Sequence, residues 1–263
     1  NRARIGTPFA ILNPIFRPVV HLRTMPPLPL RPATPAPATA LAVTALPFAV
    51  LSAFLSGWSA AAGIVACVIA VAAAIDRRHL AMSVWFGIAV AFSSHALLLA
   101  PFCIAVAIRH RAGILAWLAA PSMSLAWLIT GWRPAGLDLS GSGAPTLWSF
   151  AASSMPDHLG QLHGLSSAAA LGAAAAFIAR MQVVPLDRAA MIGMAGLSTL
   201  LTASLLPGMR ADAFILAAIL TAACAVVRRD RSTLLAAGLV QAGFFAAMCA
   251  APASGAPVAI GTL

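Results

Sequence analysis

The side chains able to do acid–base or ligand chemistry are few, and their spacing narrows what they can do. Six aspartates supply every carboxylate of the 263-residue chain: Asp76, Asp138, Asp157, Asp187, Asp212 and Asp230. Asp138, Asp157 and Asp212 are the candidates for a general base, since the other three lie within arginine-rich turns. Asp157, His158 and His163 carry the ligand types of a divalent-cation site, but three polar residues in a solvated stretch are more often only that, and no metal is expected. Arg210 stands two residues before Asp212, and Arg133 lies in the stretch that also holds Asp138. Either arginine can clamp a lipid phosphate bidentately, although Arg210 can equally pair with Asp212 or reach to headgroups. His95 opens an apolar run, where a lone histidine is usually an interfacial hydrogen-bonding residue. Haem binding needs paired histidines on facing helices, and no pairing stands out, so no cofactor is called for. Cys67, Cys103, Cys224 and Cys249 lie inside apolar runs without C-x-x-C spacing and read as small buried hydrophobes.

The elements that would position these residues follow from composition. Hydrophobic residues make up 61% of the chain and charged residues 8%, against about 25% charged in a soluble domain. A water-soluble fold of this size is excluded, because its polar surface could not cover its core. Lysine, glutamate and tyrosine are absent, and all sixteen basic residues are arginine. That bias, with so much alanine, points to a GC-rich bacterial genome and so to a bacterial inner membrane. The net charge of +10 is not a nucleic-acid footprint, because the arginines form short clusters between apolar runs.

Residues 1–39 form a separate arginine- and proline-rich arm, cytoplasmic or interfacial. Its prolines break any spanning helix, and Arg2, Arg4, Arg17, Arg23 and Arg31 suit it to docking on partner subunits or on anionic headgroups. From 40 to 250 the chain reads as an all-α, polytopic transmembrane bundle of about nine spans. These lie near 40–55, 58–75, 80–93, 95–108, 112–130, 164–180, 189–206, 212–227 and 233–250. A loop at 131–163 and a short tail at 251–263 lie on the non-cytoplasmic side. With the N-terminus cytoplasmic, the turns 76–79, 109–111, 181–188 and 228–232 fall inside, together with fourteen of the sixteen arginines. Small residues recur along the spans, as in Ala60-Ala61-Ala62-Gly63 and Ala168 to Ala176, and suit close helix packing.

Four segments together resemble the bacterial GT-C glycosyltransferases, relatives of mannosyltransferases. Leu205-Leu206-Pro207-Gly208-Met209-Arg210-Ala211-Asp212-Ala213-Phe214 is similar to that family's Leu-Pro-x-Met turn and His-Glu-Arg-Tyr-Phe run. The stretch from Gly87 to Phe102 is similar to its Gly-x-Ala-x-x-x-Lys-x-Gln segment, and Ala144-Pro145-Thr146-Leu147-Trp148 to its Asn-x-Pro-Asn-x-Trp loop. Gly57-Trp58-Ser59-Ala60 occupies the place of its Gly-Gln-x-Asp turn. The likeness spans about 45–250. It implies a GT-C-like bundle and, in a working member, transfer of a sugar from a polyprenyl-phosphate donor on the non-cytoplasmic face.

The departures fall on the polar positions. Trp58 and Ala60 replace Gln and Asp, Ser93 and His95 replace Lys and Gln, and Arg210 to Ala213 replace the His-Glu-Arg-Tyr run. The first non-cytoplasmic turn has no carboxylate. The favoured reading is a non-catalytic accessory or scaffold subunit, with membrane lipids and other membrane subunits as partners. An active GT-C transferase is the alternative, and a transporter the third, hampered by the lack of charges at membrane depth. The alternation of arginines makes a direct prediction. A topology reporter fused after Ala250 lands outside the cytoplasm and one after Arg229 inside; both on one side would end the nine-span count.

Overall fold

One glycine ends the first helix and starts the second. Helix α1 (Pro37–Ser56) opens on a proline, whose missing N–H needs no partner in a first turn. Gly57, at φ 89°, then carries the chain straight into α2 (Trp58–Ile75). A side chain would strain that backbone, so the turn depends on glycine. The computed structural model describes residues 36–129, 159–206, 209 and 211–250. The chain divides at Thr34 and Pro35, a few residues before the expected arm boundary, and all described residues belong to the second unit.

The remaining helices are α3 (His79–Phe92), α4 (Ala100–Arg109), α5 (Ile114–Ile129), α6 (Leu159–Val183), α7 (Arg188–Leu205), α8 (Ile215–Arg228) and α9 (Arg231–Ala250). Short 3-10 segments, Ser94–Leu99 and Ala211–Phe214, precede α4 and α8. The described residues thus hold nine α-helices and no strand, one helix for each apolar run of the sequence. Three stretches, Trp58–Ile75, Gly164–Val183 and Arg188–Leu205, are long and apolar enough to cross a membrane. Eighteen residues of helix reach about 27 Å at about 1.5 Å each. Three expectations shift. The runs at 95–108 and 212–227 are each divided between a 3-10 segment and a helix, α4 and α8, and α6 begins at Leu159, inside the stretch read as loop, so His163 is helical.

Helix α2 packs between α1 and α3, α3 also meets α5, and α1 returns to α8. Helix α8 lies between α7 and α9, α7 meets α6, and α6 meets α4. The 3-10 segment Ser94–Leu99 touches α2, α3, α4 and α7, so it sits where the two halves join. Leu41, Val71, Met82, Phe102, Ile192 and Ile219 are fully buried and belong to one apolar core. Large apolar side chains also cover the outside, among them Val43, Leu46, Ile114, Leu115, Leu171 and Leu239. Such a surface is costly in water.

Small residues set the closest contacts. A Cβ on Gly87 would lie 2.6 Å from the Ala120 carbonyl oxygen of α5, and one on Gly63 would lie 2.8 Å from the Ser93 Cβ. On α7, Gly196 faces Leu220 and Thr221 of α8, and Gly193 faces Cys224. Polar side chains also bond between helices to backbone carbonyls. Ser124 Oγ donates to Gly87, Gln182 Nε2 to Ala105 at 3.1 Å, and Gln241 Nε2 to Ala218 at 2.9 Å. Such bonds are worth about 0.6 kcal/mol each between helices in lipid.

The arginine-bearing turns lie at one end. His79 stacks on His110, with ring centroids 5.0 Å apart and planes 20° from parallel. Arg109 donates to the Met181 and Val184 carbonyls, closing the C-terminus of α6. Asp187 caps α7 by accepting from the Ala190 N–H, and it lies 3.8 Å from Arg228 in an exposed pair. The four basic turns are therefore linked in a chain, first to second, second to third and third to fourth, at one end of the bundle. Asp230 accepts from the Thr233 hydroxyl and N–H at the start of α9, and these bonds hold its carboxyl below the usual range.

The glycine seams yield a prediction. Gly87→Ala drives a Cβ into the α5 backbone and lowers stability by about 1–3 kcal/mol. Gly238→Ala, where a Cβ meets nothing within 4 Å, raises it by about 0.5–1 kcal/mol. Thermal unfolding in detergent reads both, and equal effects would mean that the α3–α5 contact is not tight.

Candidate functional site

The end of the bundle opposite the arginines holds the polar group that the helices bring together. Ser52 lies one turn before the end of α1, Gly63 in the first turns of α2, and Ser93 in extended backbone after α3. His95 follows on the 3-10 segment, and Ala213 and Ile215 enter from the other half. These residues, with Cys67, line one recess of about 30 Å3. That volume holds about two water molecules. Ser52 is 1% exposed, and its hydroxyl has no hydrogen-bond partner among the described residues. Ser93 is also buried, so the recess is a polar spot in an apolar wall.

Beneath it runs a ladder of hydroxyls on α7. Thr202 Oγ1 donates to the Leu98 carbonyl at 3.0 Å, tying α7 to the 3-10 segment, and also lies 2.8 Å from the Ser198 carbonyl. Thr199 bonds back to the Ala195 and Gly196 carbonyls. Among the described residues the buried polar side chains are all serine or threonine. They can donate hydrogen bonds, but a hydroxyl alone is a poor base.

A larger hollow of about 580 Å3 opens between α1, α2 and α3, lined by Val50, Trp58, Val65, Trp85, Ile88 and Phe92. It is apolar and could take a hydrocarbon chain but offers nothing to react with one.

Few of the residues singled out in the sequence fall in this picture. Asp138, Asp157, His158, Arg133 and Arg210 lie outside the described residues, as do Arg2, Arg4, Arg17, Arg23 and Arg31. Asp212 is on the 3-10 turn Ala211–Phe214, one position before Ala213 of the recess, and His163 is on α6; neither side chain is described. No group of three or more His, Cys, Asp or Glu placed to hold a metal occurs among the described residues. Cys67, Cys103 and Cys224 are free and buried. Ser52 was missed, because a serine inside an apolar run carries no spacing signal. The recess does unite three of the four GT-C-like segments, through Ala60, through Ser93 and His95, and through Ala213.

No family model, curated protein or solved structure matches the chain.

The bond between halves is testable. Thr202→Val keeps the shape, removes the donor to Leu98 and leaves that carbonyl unpaired, so unfolding in detergent should show a loss of about 0.5–1.5 kcal/mol. An unchanged midpoint would mean that this tie contributes nothing.

Proposed function

We propose that the chain is a nine-span inner-membrane protein acting as a non-catalytic subunit of a larger assembly, built on a GT-C-like scaffold. The membrane reading is supported by the apolar outer surface and by the three helices of spanning length. The loss of catalysis is supported by one observation above the rest. Among the described residues, the recess where the GT-C-like segments meet is small and is lined by serine, histidine, cysteine and apolar residues, with no carboxylate. Inverting glycosyl transfer needs a base at the acceptor and charge stabilisation at the leaving phosphate. In this reading the arginine end faces the cytoplasm, and the arm docks the chain on its partner.

One observation favours the alternative of an active, lipid-linked sugar transferase. The apolar hollow beside the recess suits a hydrocarbon tail, and Asp212 lies next to Ala213 in the chain. That reading requires Asp138, Asp157 or Asp212 as base, with Arg210 or Arg133 on the phosphate.

Purification in mild detergent separates the two. The intact chain should co-migrate with another membrane subunit, and deletion of residues 1–30 should release it without loss of helical signal. The arm arginines contribute about 1 kcal/mol each near an anionic surface, so high salt should weaken the attachment. If both chains run alone at every salt and consume a lipid-linked sugar, and the Asp138, Asp157 and Asp212 to Asn triple variant stops that consumption, the subunit reading is wrong.

A further inference from the structure

Three helices end in the same uncommon way. Helices α2, α4 and α8 each finish at an arginine of positive φ: Arg77 at 60°, Arg111 at 50° and Arg229 at 52°. Left-handed backbone is a common helix ending, but glycine is the residue that adopts it without strain. The first two endings are one design. Arg78 N–H bonds the Ala73 carbonyl and Arg77 N–H the Ala74 carbonyl, at 2.9 and 3.1 Å. Ala112 and Arg111 bond the Ala107 and Ile108 carbonyls at the same two distances. A cation here gains from the helix dipole, yet it need not sit on the strained residue to do so. Strain kept at a fixed place points to use of the side chain.

The two turns also meet, through the stacked rings of His79 and His110. His79 Nδ1 is buried and has no partner among the described residues. Arg77, Arg78 and Arg111 are exposed, and no described hydrogen bond or ion pair uses their side chains. Burial first, then the charges of His79, Arg77 and Arg109, hold the His110 pKa below its ordinary value. Every charge acting on that ring is thus positive. Arg180 of α6 and Arg188 of α7 lie at the same end, Asp76 is in the Arg77 turn, and Asp187 faces Arg228.

We infer that the Asp76–His79 and Arg109–Arg111 turns together bind the phosphate of an anionic phospholipid headgroup. A guanidinium fork matches two phosphate oxygens, and an imidazole adds an N–H donor. The two turns, held side by side by the ring stack, bring Arg77, Arg78 and Arg111, whose side chains have no described hydrogen-bond or ion-pair partner, from two helix ends to one place. A lipid is the occupant because the first turn closes α2, a helix of membrane-spanning length, where headgroups would lie. This rests on the membrane placement proposed above. Bound phosphate favours protonated His110, so affinity rises as pH falls through the His110 titration.

The test uses the full chain in mild detergent, titrated with dioctanoyl phosphatidylglycerol, dioctanoyl phosphatidylcholine and inorganic phosphate in separate arms. Phosphatidylglycerol should bind, phosphatidylcholine should not, and inorganic phosphate should bind more weakly. The Arg77→Gly, Arg111→Gly double variant stays folded, since glycine suits both backbones, and it should lose affinity by about thirtyfold. His110→Gln should keep the neutral-pH affinity and lose the gain in acid. Unchanged binding by the folded double variant, equal binding of phosphatidylcholine, or inorganic phosphate binding as tightly as the lipid would each overturn the site. Release of the chain from membranes by alkaline carbonate would instead overturn the membrane placement, which the detergent titration does not depend on.

Discussion

Helices that share an apolar solvent gain little from burying apolar faces against one another, so close backbone approach has to supply their cohesion. In this bundle that approach is concentrated at a few positions. Gly63 lets α2 lie against Ser93, Gly87 lets α3 lie against the α5 backbone, and Gly193 and Gly196 let α7 lie against α8. The hydrogen bond from Ser124 to the Gly87 carbonyl crosses one of these contacts, and Gln182, Thr202 and Gln241 tie other neighbours in the same way. A larger side chain at Gly87 would therefore remove both the dispersion contact and the polar tie that depends on it.

The same constraint sorts the charges. A close-packed interior of alanine, glycine and leucine has no room or counter-charge for a guanidinium, so every described arginine is at a helix end. There the side chains serve each other's termini: Arg109 satisfies carbonyls of α6, and Asp187 and Asp230 satisfy N–H groups of α7 and α9. The result is a molecule with one cationic end and one end whose described polar groups are hydroxyls and an imidazole. That difference between the ends arises from packing before any question of orientation in a bilayer.

The nine helices were legible because composition and the arginine turns punctuate the chain, and Gly57 marked its turn without ambiguity. The two 3-10 segments were not. Ser94–Leu99 and Ala211–Phe214 run straight into the helices they precede, and hydropathy does not distinguish a wound from an overwound backbone. The start of α6 at Leu159 was hidden because Gln161 and His163 look like loop residues. Ser93 and His95 were noticed as polar residues at a span end, but Ser52 was not, since only the fold brings the end of α1 to the same recess. The left-handed arginines were equally invisible: a sequence shows glycine at a helix ending, but it does not show an arginine doing glycine's task.

The recess shows how close packing and an open polar site compete for the same space. A transferase holds its site open with polar side chains that a donor and an acceptor must reach, and such openness forgoes packing. Here the positions that resemble Gln, Asp, Lys and Gln of the GT-C motifs carry Trp58, Ala60, Ser93 and His95. Ser93 is small enough for its Cβ to stand where a side chain on Gly63 would begin, 2.8 Å away, so α2 and the end of α3 close on each other. A lysine in that place would have to thread its chain through the contact that now joins the two helices. Small side chains at these positions and the close approach of the helices are then one arrangement. In the subunit reading proposed above, a bundle closed in this way leaves its outer faces as the parts that a neighbouring subunit or a lipid can use.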